Sequence, residues 1–331
     1  MISNTHSNNF NILRLIFAIL VVFSHAYGLL AQAEPHLWGR SLGNWSVHGF
    51  FIISGYLICQ SYFRSPSLIS YTFNRCLRIM PALVVAIFLG KAIAILCDGF
   101  KGNYVPYIVN GPVWTLTWEV ACYIGLAILG LGRILNTNTI PSFFGAIWLI
   151  YLYNISNVNA PYLVIAPLVI MFISGAFIAI MEDKINYNRI PWLAVFGLVI
   201  TFDYELFLSL YNTIVSNVPF LYGPEVTAEQ VIRIIYLMSF PIVLIYLGKN
   251  FRFVLAIKND ISYGVYIYAW PIAQMIVYFS IKNDISLSAI PFFILTLIFT
   301  IPLAYISWIY IEKPSLKLKK IFVMQHGLKH E

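Results

Sequence analysis

The feature that most constrains this chain is a succession of long apolar segments, which recur from residue 10 to residue 311 with few charges between them. Hydrophobic residues make up 60% of the sequence and charged residues only 10%, whereas about 25% of an average soluble domain is charged. So few charges could not cover the surface of a soluble protein of this size. The composition therefore predicts an all-α polytopic membrane protein, because helices satisfy their own backbone polar groups in lipid. It excludes a cytosolic enzyme and a secreted disulfide-rich domain.

The apolar pattern predicts about ten transmembrane helices. They are expected near Phe10–Leu30, Trp45–Tyr62, Met80–Leu96, Val113–Leu131, Ile140–Tyr153, Tyr162–Met181, Ile190–Ser209, Val231–Leu247, Ile261–Phe279 and Leu287–Ile311. The fifth segment is short, and the seventh carries Asp203 and Glu205 near its end. The pattern therefore also allows nine or eleven spans.

The distribution of cations predicts how the chain is oriented. With the N-terminus in the cytoplasm, fourteen of the twenty lysines and arginines are cytoplasmic, and the outside loops hold only Arg40, Lys101 and Lys282. The positive-inside rule therefore places both termini in the cytoplasm. We expect a single membrane domain over residues 1–331, with core motifs at 10–314 and a basic cytoplasmic tail at 315–331. Since topology accounts for most of the net charge of +7, no nucleic-acid partner is expected.

The cysteines do not predict a metal or redox centre. Cys59, Cys76, Cys97 and Cys122 lie in or beside apolar segments and form no CxxC pair. Such cysteines usually pack as small apolar side chains. We therefore expect no metal ligands among them.

Arg14 and His25 are two ionisable residues of the first predicted helix. Their spacing of eleven residues lies about 20° from a whole number of turns, so both leave one helix face, about 16 Å apart along the axis. An ionisable residue within a span costs a few kcal/mol and is a functional candidate. A snorkelling arginine and a histidine bonded to a neighbouring helix are the ordinary alternatives. Two such residues on one face indicate a polar interior.

Glu119 lies in the segment GPVWTLTWE, which begins the fourth predicted helix. It is expected roughly 9 Å below the outer membrane boundary, at nearly the depth of His25. A carboxylate at that level can hold the tautomer of an imidazole and stabilise its protonated form. We therefore predict His25 and Glu119 as catalytic residues. The alternative is a protonated Glu119 bonded to a backbone carbonyl.

Arg75 and Arg78 stand three residues apart at the cytoplasmic start of the third predicted helix. That spacing places both guanidinium groups on one helix face, where they would suit phosphate groups. Simple positive-inside anchoring would produce the same residues and is the alternative interpretation. In the second helix, the Ser54-Gly55-Tyr56 segment indicates small-residue helix packing. His48, at the outer end of that helix, is either a second site histidine or an interfacial residue.

Several stretches together resemble the integral-membrane acyltransferase 3 family, which includes O-acetyltransferases of bacterial surface polysaccharides. They are FNILRLIFAILVVFSHA, VHGFFIISGYLI, FNRCLRIMP, GPVWTLTWE, ISYGVYIYAWPI and WIYIEKP. The stretches occur in the family's order and extend from Phe10 to Pro314, nearly the whole chain. No single stretch is decisive, but their order and spacing together are specific.

The resemblance implies about ten transmembrane helices, a cytoplasmic acyl-coenzyme A donor, and an acceptor at or beyond the outer membrane face. It carries over His25 and Arg14 as the first-helix pair, Arg75 and Arg78 as the paired arginines, and Glu119 as the carboxylate of the tryptophan motif. The chain departs from the family pattern at His48, because many relatives carry aspartate there. An acidic role at that position is therefore not expected.

The predicted function is a membrane O-acyltransferase of the bacterial cytoplasmic (inner) membrane. It would move an acyl group, by default acetyl, from acyl-coenzyme A to a hydroxyl of a cell-surface or lipid-linked glycan. The coenzyme A phosphates are expected on Arg75 and Arg78, with Arg14 nearby. His25, oriented by Glu119, would take the hydroxyl proton during direct transfer or would relay the group as an acyl-histidine. Acyl-coenzyme A is a substrate here, and no permanently bound cofactor is expected.

The residues that would contact the substrate are less strongly indicated. Trp114, Trp118 and Tyr56 are candidates because each could donate a hydrogen bond to the oxyanion, and aromatic rings also stack on sugar faces. His48 is a further candidate.

A competing interpretation is a multi-span exporter of glycans or small amphiphiles, in which the intramembrane charges line a path. The sequence shows no inverted repeat, and an exporter gives the arginine pair no evident role. Binding of coenzyme A separates the two classes.

Overall fold

The computed structural model describes residues 9–37, 40–155, 162–185, 190–200, 204–217, 227–250 and 259–319. These residues form a helical bundle with one small hairpin. The helices are α1 (Phe10–Leu29), α2 (Leu42–Arg64), α3 (Leu68–Leu96), α4 (Val113–Leu131), α5 (Ile140–Asn154), α6 (Tyr162–Ile180), α7 (Ile190–Ile200), α8 (Tyr204–Asn217), α9 (Ala228–Asn250), α10 (Ser262–Lys282) and α11 (Ala289–Ser307). The hairpin pairs β1 (His36–Leu37) with β2 (Arg40–Ser41) in antiparallel register.

Seven helices of the described ranges are long and apolar enough to cross a membrane, which confirms an all-α polytopic membrane protein. They are α1, α2, α3, α4, α9, α10 and α11. Two further apolar helices, Ile140–Asn154 and Ile165–Ile180, are shorter. Ten spans therefore remains a prediction, as does the cytoplasmic position of the termini.

The predicted span Ile190–Ser209 is wrong as a single straight helix. The segments Pro191–Ile200 and Glu205–Ile214 are bent by 100° and count as at most one span. Glu205 lies in the first turn of α8, where a negative charge is favoured by the helix dipole. An acid at this point therefore starts a new helix instead of continuing an apolar one. Asp203 lies outside the described residues.

The last predicted helix is longer than its apolar segment. After Ser307, α11 passes through a π-helical turn, Trp308–Glu312, and continues to Lys319. The beginning of the predicted tail, residues 315–319, is therefore helical. Residues 320–331 lie outside the described part of the chain.

Helix α2 packs tightly on α6, and two glycines permit this approach. A Cβ atom at Gly55 would lie 1.9 Å from the backbone oxygen of Phe172, and one at Gly175 would lie 2.1 Å from that of Ile52. These backbones touch directly, so any larger residue would force the helices apart. The packing role predicted for the Ser54-Gly55-Tyr56 segment is confirmed for Gly55.

Helices α1, α3 and α10 run in the same direction through the bundle. Arg14 and Arg78 approach Asp260, just before α10, whereas His25 packs on Trp270 within it. Because Arg14 and His25 lie on the same helix, these contacts mark opposite ends of the bundle. We call them the arginine end and the histidine end. The four cysteines are unpaired, with Cys59 and Cys97 buried and Cys76 exposed.

Candidate active site

A polar cavity of about 90 Å³ opens among α1, α2, α3, α4 and α10 at the arginine end. We call it the arginine cavity. Its polar lining comprises Arg14, Ser54, Arg75, Arg78, Thr115, Glu119, Tyr123, Tyr263 and Tyr266. The predicted residues Arg14, Arg75, Arg78 and Glu119 therefore come together from three different helices.

Asp260 joins two of the arginines. Its Oδ2 atom lies 2.6 Å from Arg14 Nη1 and 2.5 Å from Arg78 Nη2. Ser262 Oγ donates to the other carboxylate oxygen at 2.5 Å. One buried carboxylate, 8% exposed, thus holds two cations that lie 64 residues apart on α1 and α3. Removing one partner of such a network leaves an uncompensated buried charge.

The charge of Asp260 is fixed by these neighbours. Burial acts to raise the pKa of this carboxyl group, but the charges of Arg14 and Arg78 and the hydrogen bonds from Ser262 outweigh burial and lower the pKa to about 2. Asp260 is therefore ionised at every pH near neutrality and supplies a shared counter-charge to Arg14 and Arg78.

Arg78 has further partners on the other side of its guanidinium group. Its Nη1 atom lies 3.7 Å from Glu312 Oε2, and its Cζ atom lies 5.7 Å from the centre of the Trp308 ring. Glu312 is 2% exposed and belongs to the π-helical turn of α11. Arg78 is therefore clamped between two acids and an indole, which restricts how far it can move.

Arg75 differs from Arg78 because it has few partners. Its Nη2 atom donates to Ser61 Oγ at 3.1 Å, while its Nε atom is buried without a hydrogen-bond partner. A buried donor without a partner costs free energy. An anionic group in the arginine cavity would satisfy it, so Arg75 is the arginine best prepared to bind a phosphate.

Glu119 belongs to the arginine cavity and accepts two hydrogen bonds there. Ser54 Oγ donates to Oε1 at 2.5 Å, and the Tyr123 hydroxyl donates to the same oxygen. Ser54 and Tyr123 are also 2.9 Å apart. Three polar groups on α2 and α4 thus form one partly buried cluster beside the arginines.

A second cavity, of about 240 Å³, lies at the histidine end, and we call it the histidine cavity. Its lining includes Ser24, His25, Ser41, Asn44 and Trp114. The His25 ring meets the Trp270 ring edge to face, with 4.9 Å between the ring centres. Trp114 is 50% exposed, so an aromatic surface borders the opening.

Three side chains stand between the two cavities. Val47, Thr115 and Tyr266 line both of them. The hydroxyls of Thr115 and Tyr266 are 2.5 Å apart, and both residues are buried. We call this set the dividing wall. A group that passes directly from one cavity to the other would cross between these side chains.

The structure does not bring His25 and Glu119 into contact. Within the described ranges, no hydrogen bond joins them, and they line different cavities on either side of the dividing wall. The expectation that Glu119 directly orients His25 is therefore not met. The depth argument fails because Ser54 and Tyr123 draw the carboxylate toward the arginine end. The catalytic roles themselves remain predictions.

Three predicted substrate-binding residues lie outside both cavities. Tyr56 is buried and its hydroxyl donates to Glu182 Oε2 at 2.8 Å. His48 is 1% exposed, with its Nδ1 atom 2.8 Å from the Tyr236 hydroxyl. Trp118 lines an apolar groove between α4, α5 and α6. Only Trp114 of this group borders a polar cavity.

Several residues of the cavities were missed by the sequence analysis. Asp260 directly precedes the motif ISYGVYIYAWPI, and Glu312 belongs to the motif WIYIEKP. Their arginine partners lie more than 180 residues away in sequence, so no local spacing reveals the pairing. Tyr123 is four residues after Glu119, one helical turn further along the same face, and that spacing could have identified it. Nothing in the sequence singles out Trp270 beyond its place in the motif ISYGVYIYAWPI.

Comparison with known proteins assigns a class to this architecture. Residues 7–309 match the model of a protein family described as an acyltransferase domain. Because the match spans most of the chain, the protein belongs to the acyltransferase 3 family, and it is an acyltransferase. The resemblance noted in the sequence is confirmed.

Two relatives align along nearly their full length. An O-acetyl transferase from Shigella phage Sf6 is 28% identical over 93% of this chain and 95% of its own. Nodulation protein 10 from Rhizobium leguminosarum bv. viciae is 26% identical over 97% of this chain and 96% of its own. No solved structure matches. Taken with the membrane helices, these relatives indicate a membrane O-acyltransferase.

Proposed function

We propose that the protein transfers an acyl group, by default acetyl, from cytoplasmic acyl-coenzyme A to a hydroxyl of a cell-surface or lipid-linked glycan. The observation that carries this proposal is the pair of cavities that meet at the dividing wall. Arginines line one cavity and a histidine lines the other. A donor with phosphates and an acceptor with a hydroxyl would thus approach the wall from opposite ends.

The donor end is assigned to the arginine cavity. Arg75 offers an unpaired Nε donor, and Arg14 and Arg78 bring two further guanidinium groups to the same cavity. Phosphates of coenzyme A suit such forked donors, and the arginine end would face the cytoplasm under the positive-inside rule. We also propose that the protein lies in the bacterial inner membrane, with its arginine end toward the cytoplasm.

The transfer step is assigned to His25. Its imidazole would accept the proton of the acceptor hydroxyl as the oxygen attacks the thioester carbon, and would return that proton to the leaving thiolate. The acyl group then forms an ester and coenzyme A leaves as the thiol. The thioester reaches His25 when the Tyr266 and Thr115 side chains part. Glu119, Ser54 and Tyr123 would form the polar floor of the donor cavity.

The acceptor is assigned to the histidine end. Trp114 is exposed beside His25, and aromatic side chains of this kind stack on sugar rings. The competing interpretation, an exporter, is disfavoured by the family assignment.

The test uses membrane vesicles that contain the protein or a variant and receive radiolabelled acetyl-coenzyme A. We expect His25→Ala to abolish label in the glycan fraction while the protein remains folded. His36→Ala is the matched control, because His36 is exposed on the hairpin. Near-normal turnover in His25→Ala would overturn the mechanism. Quenching the reaction after a short incubation distinguishes direct transfer from a relay, since a labelled protein band would indicate an acyl-histidine intermediate.

A further inference from the structure

The loop between α3 and α4, residues 97–112, has an unusual backbone. Asp98, Phe100 and Tyr107 have φ angles of 49°, 60° and 65°, a region that side-chain-bearing residues seldom adopt. Such conformations persist only where surrounding contacts enforce them, and they are enriched at functional sites. Phe100 provides one such contact, because it is fully buried. The loop is thus held in shape at an energetic cost.

The loop is bonded to α10 along its length. Asn103 Nδ2 donates to Gln274 Oε1 at 2.8 Å, and Gln274 Nε2 donates to the Val105 oxygen at 2.6 Å. Trp270 Nε1 donates to the Ile108 oxygen at 2.9 Å. These bonds fix the loop over the half of α10 that lies at the histidine end. Side chains on its outer surface are therefore displayed in a fixed arrangement.

Two lysines meet at a pocket formed by this loop and the end of α10. Lys101 and Lys282 line it with Asp98, Asn103 and Tyr278. Lys282 Nζ lies 5.6 Å from the Tyr278 ring centre, and the Tyr278 hydroxyl donates to Asp98 Oδ2 at 2.7 Å. Within the described ranges, neither lysine forms an ion pair. The two lysines outnumber the single carboxylate of Asp98 in the lining, so the pocket carries a net positive charge that favours an anion.

Polar and aromatic groups accompany these charges. Asn103 lines the same pocket, and its buried Oδ1 atom lacks a hydrogen-bond partner. On the same loop, Tyr104 is 60% exposed and Tyr107 is 70% exposed. Cations, a free acceptor and exposed rings are the groups that an acidic sugar chain would need. An apolar ligand would need neither the cations nor the hydrogen-bond acceptor.

The pocket and the contact of His25 share helix α10. Trp270 contacts His25, and Tyr278 lies eight residues further along α10, or about 12 Å along the helix axis. Trp270 also holds the α3–α4 loop through Ile108. A polymer that follows α10 over this distance could therefore contact the pocket with one sugar unit and present another to His25.

We propose that this surface, formed by the α3–α4 loop and the end of α10 around Lys101 and Lys282, is a docking site for a negatively charged glycan. It would select acidic acceptors and hold the polymer while His25 acts on a nearby unit. This inference rests on the proposed function for its role in catalysis. Glycan binding itself can be measured without any transfer.

The test measures binding of a fluorescent hyaluronan decasaccharide to the full-length protein in nanodiscs of zwitterionic lipid. We expect binding that weakens as salt is added, and little binding of an uncharged dextran oligosaccharide of equal length. The double variant Lys101→Gln/Lys282→Gln should weaken binding about tenfold, since two exposed charges are lost. Lys313→Gln/Lys317→Gln is the matched control, because these exposed lysines lie at the arginine end.

Three results would overturn the proposal: no hyaluronan binding, equal binding of dextran, or full binding by the Lys101/Lys282 double variant. A fourth measurement separates it from the proposed function. If hyaluronan binds as expected while acetyl-coenzyme A gives no His25-dependent label, the docking site stands and the acyl-transfer mechanism fails. If label transfer proceeds but replacing the lysines has no effect on hyaluronan binding, the acyl-transfer mechanism stands and the docking site fails.

Discussion

The two ends of the bundle differ in how their buried polar groups are satisfied. At the arginine end, Asp260 bonds to Arg14 and Arg78, and Glu312 lies beside Arg78. At the histidine end, His25 has an aromatic contact and no hydrogen bond to another described residue. The first arrangement pairs buried charges and stabilises the fold. The second leaves the imidazole of His25 without a polar partner among the described residues.

The largest expected effect comes from removing Asp260. Asp260→Ala leaves Arg14 and Arg78 buried without their shared counter-charge, which should cost about 3–5 kcal/mol of stability. Thermal unfolding in detergent measures this loss. Asp183→Ala is the matched control, because Asp183 is exposed. Equal unfolding temperatures for the two variants would show that the arginine end is not the stabilising one.

Acid should weaken the same network. The pKa of Asp260 is lowered from 3.8 to about 2 because the arginines outweigh burial. A depressed carboxyl pKa contributes stability above the unfolded value, and that contribution is lost as pH falls from about 4 to about 2. The shift corresponds to about 2 kcal/mol. The unfolding-temperature difference between the wild type and Asp260→Asn should therefore shrink over this range, and a constant difference would contradict the assignment.

The two neighbouring arginines should respond differently to the same substitution. Arg78→Gln removes a clamped cation and should lower the unfolding temperature. Arg75→Gln removes a guanidinium group with one side-chain partner, so it should raise the KM for acyl-coenzyme A about tenfold with little effect on stability. Arg64→Gln, on an exposed residue, is the control. A normal KM in Arg75→Gln would remove Arg75 from the donor site.

The smallest expected effect concerns Tyr56. Tyr56→Phe deletes the hydroxyl that donates to Glu182, which should cost about 1 kcal/mol of stability and leave transfer unchanged. Unfolding and label transfer are measured on the same preparation. A lower turnover with unaltered stability would instead return Tyr56 to the substrate site.

Much of the fold could be predicted because membrane helices are encoded locally. Each predicted segment has a helical counterpart, and the error at Ile190–Ser209 arises where acids interrupt an apolar run. The arginine residues of the cavity could also be predicted, since a charge within an apolar helix is conspicuous. Their grouping in one cavity is a property of the structure.

What the sequence could not supply is which groups pair across the bundle. Arg14 and Asp260 are 246 residues apart, and only helix packing brings them together. Depth alone suggested a His25–Glu119 contact, but depth does not fix the direction in which a side chain leaves its helix. His48 shows the same limit, because it lies near the histidine end yet bonds to Tyr236 on α9.

The dividing wall has a bioenergetic consequence. If the two polar cavities were joined, water and protons could cross the bundle, and an energised membrane would lose its proton gradient through every copy of the enzyme. Val47, Thr115 and Tyr266 interrupt that path with an apolar side chain and a closed hydroxyl pair. With the donor and acceptor on the faces proposed above, this closure would keep the membrane electrically sealed between turnovers.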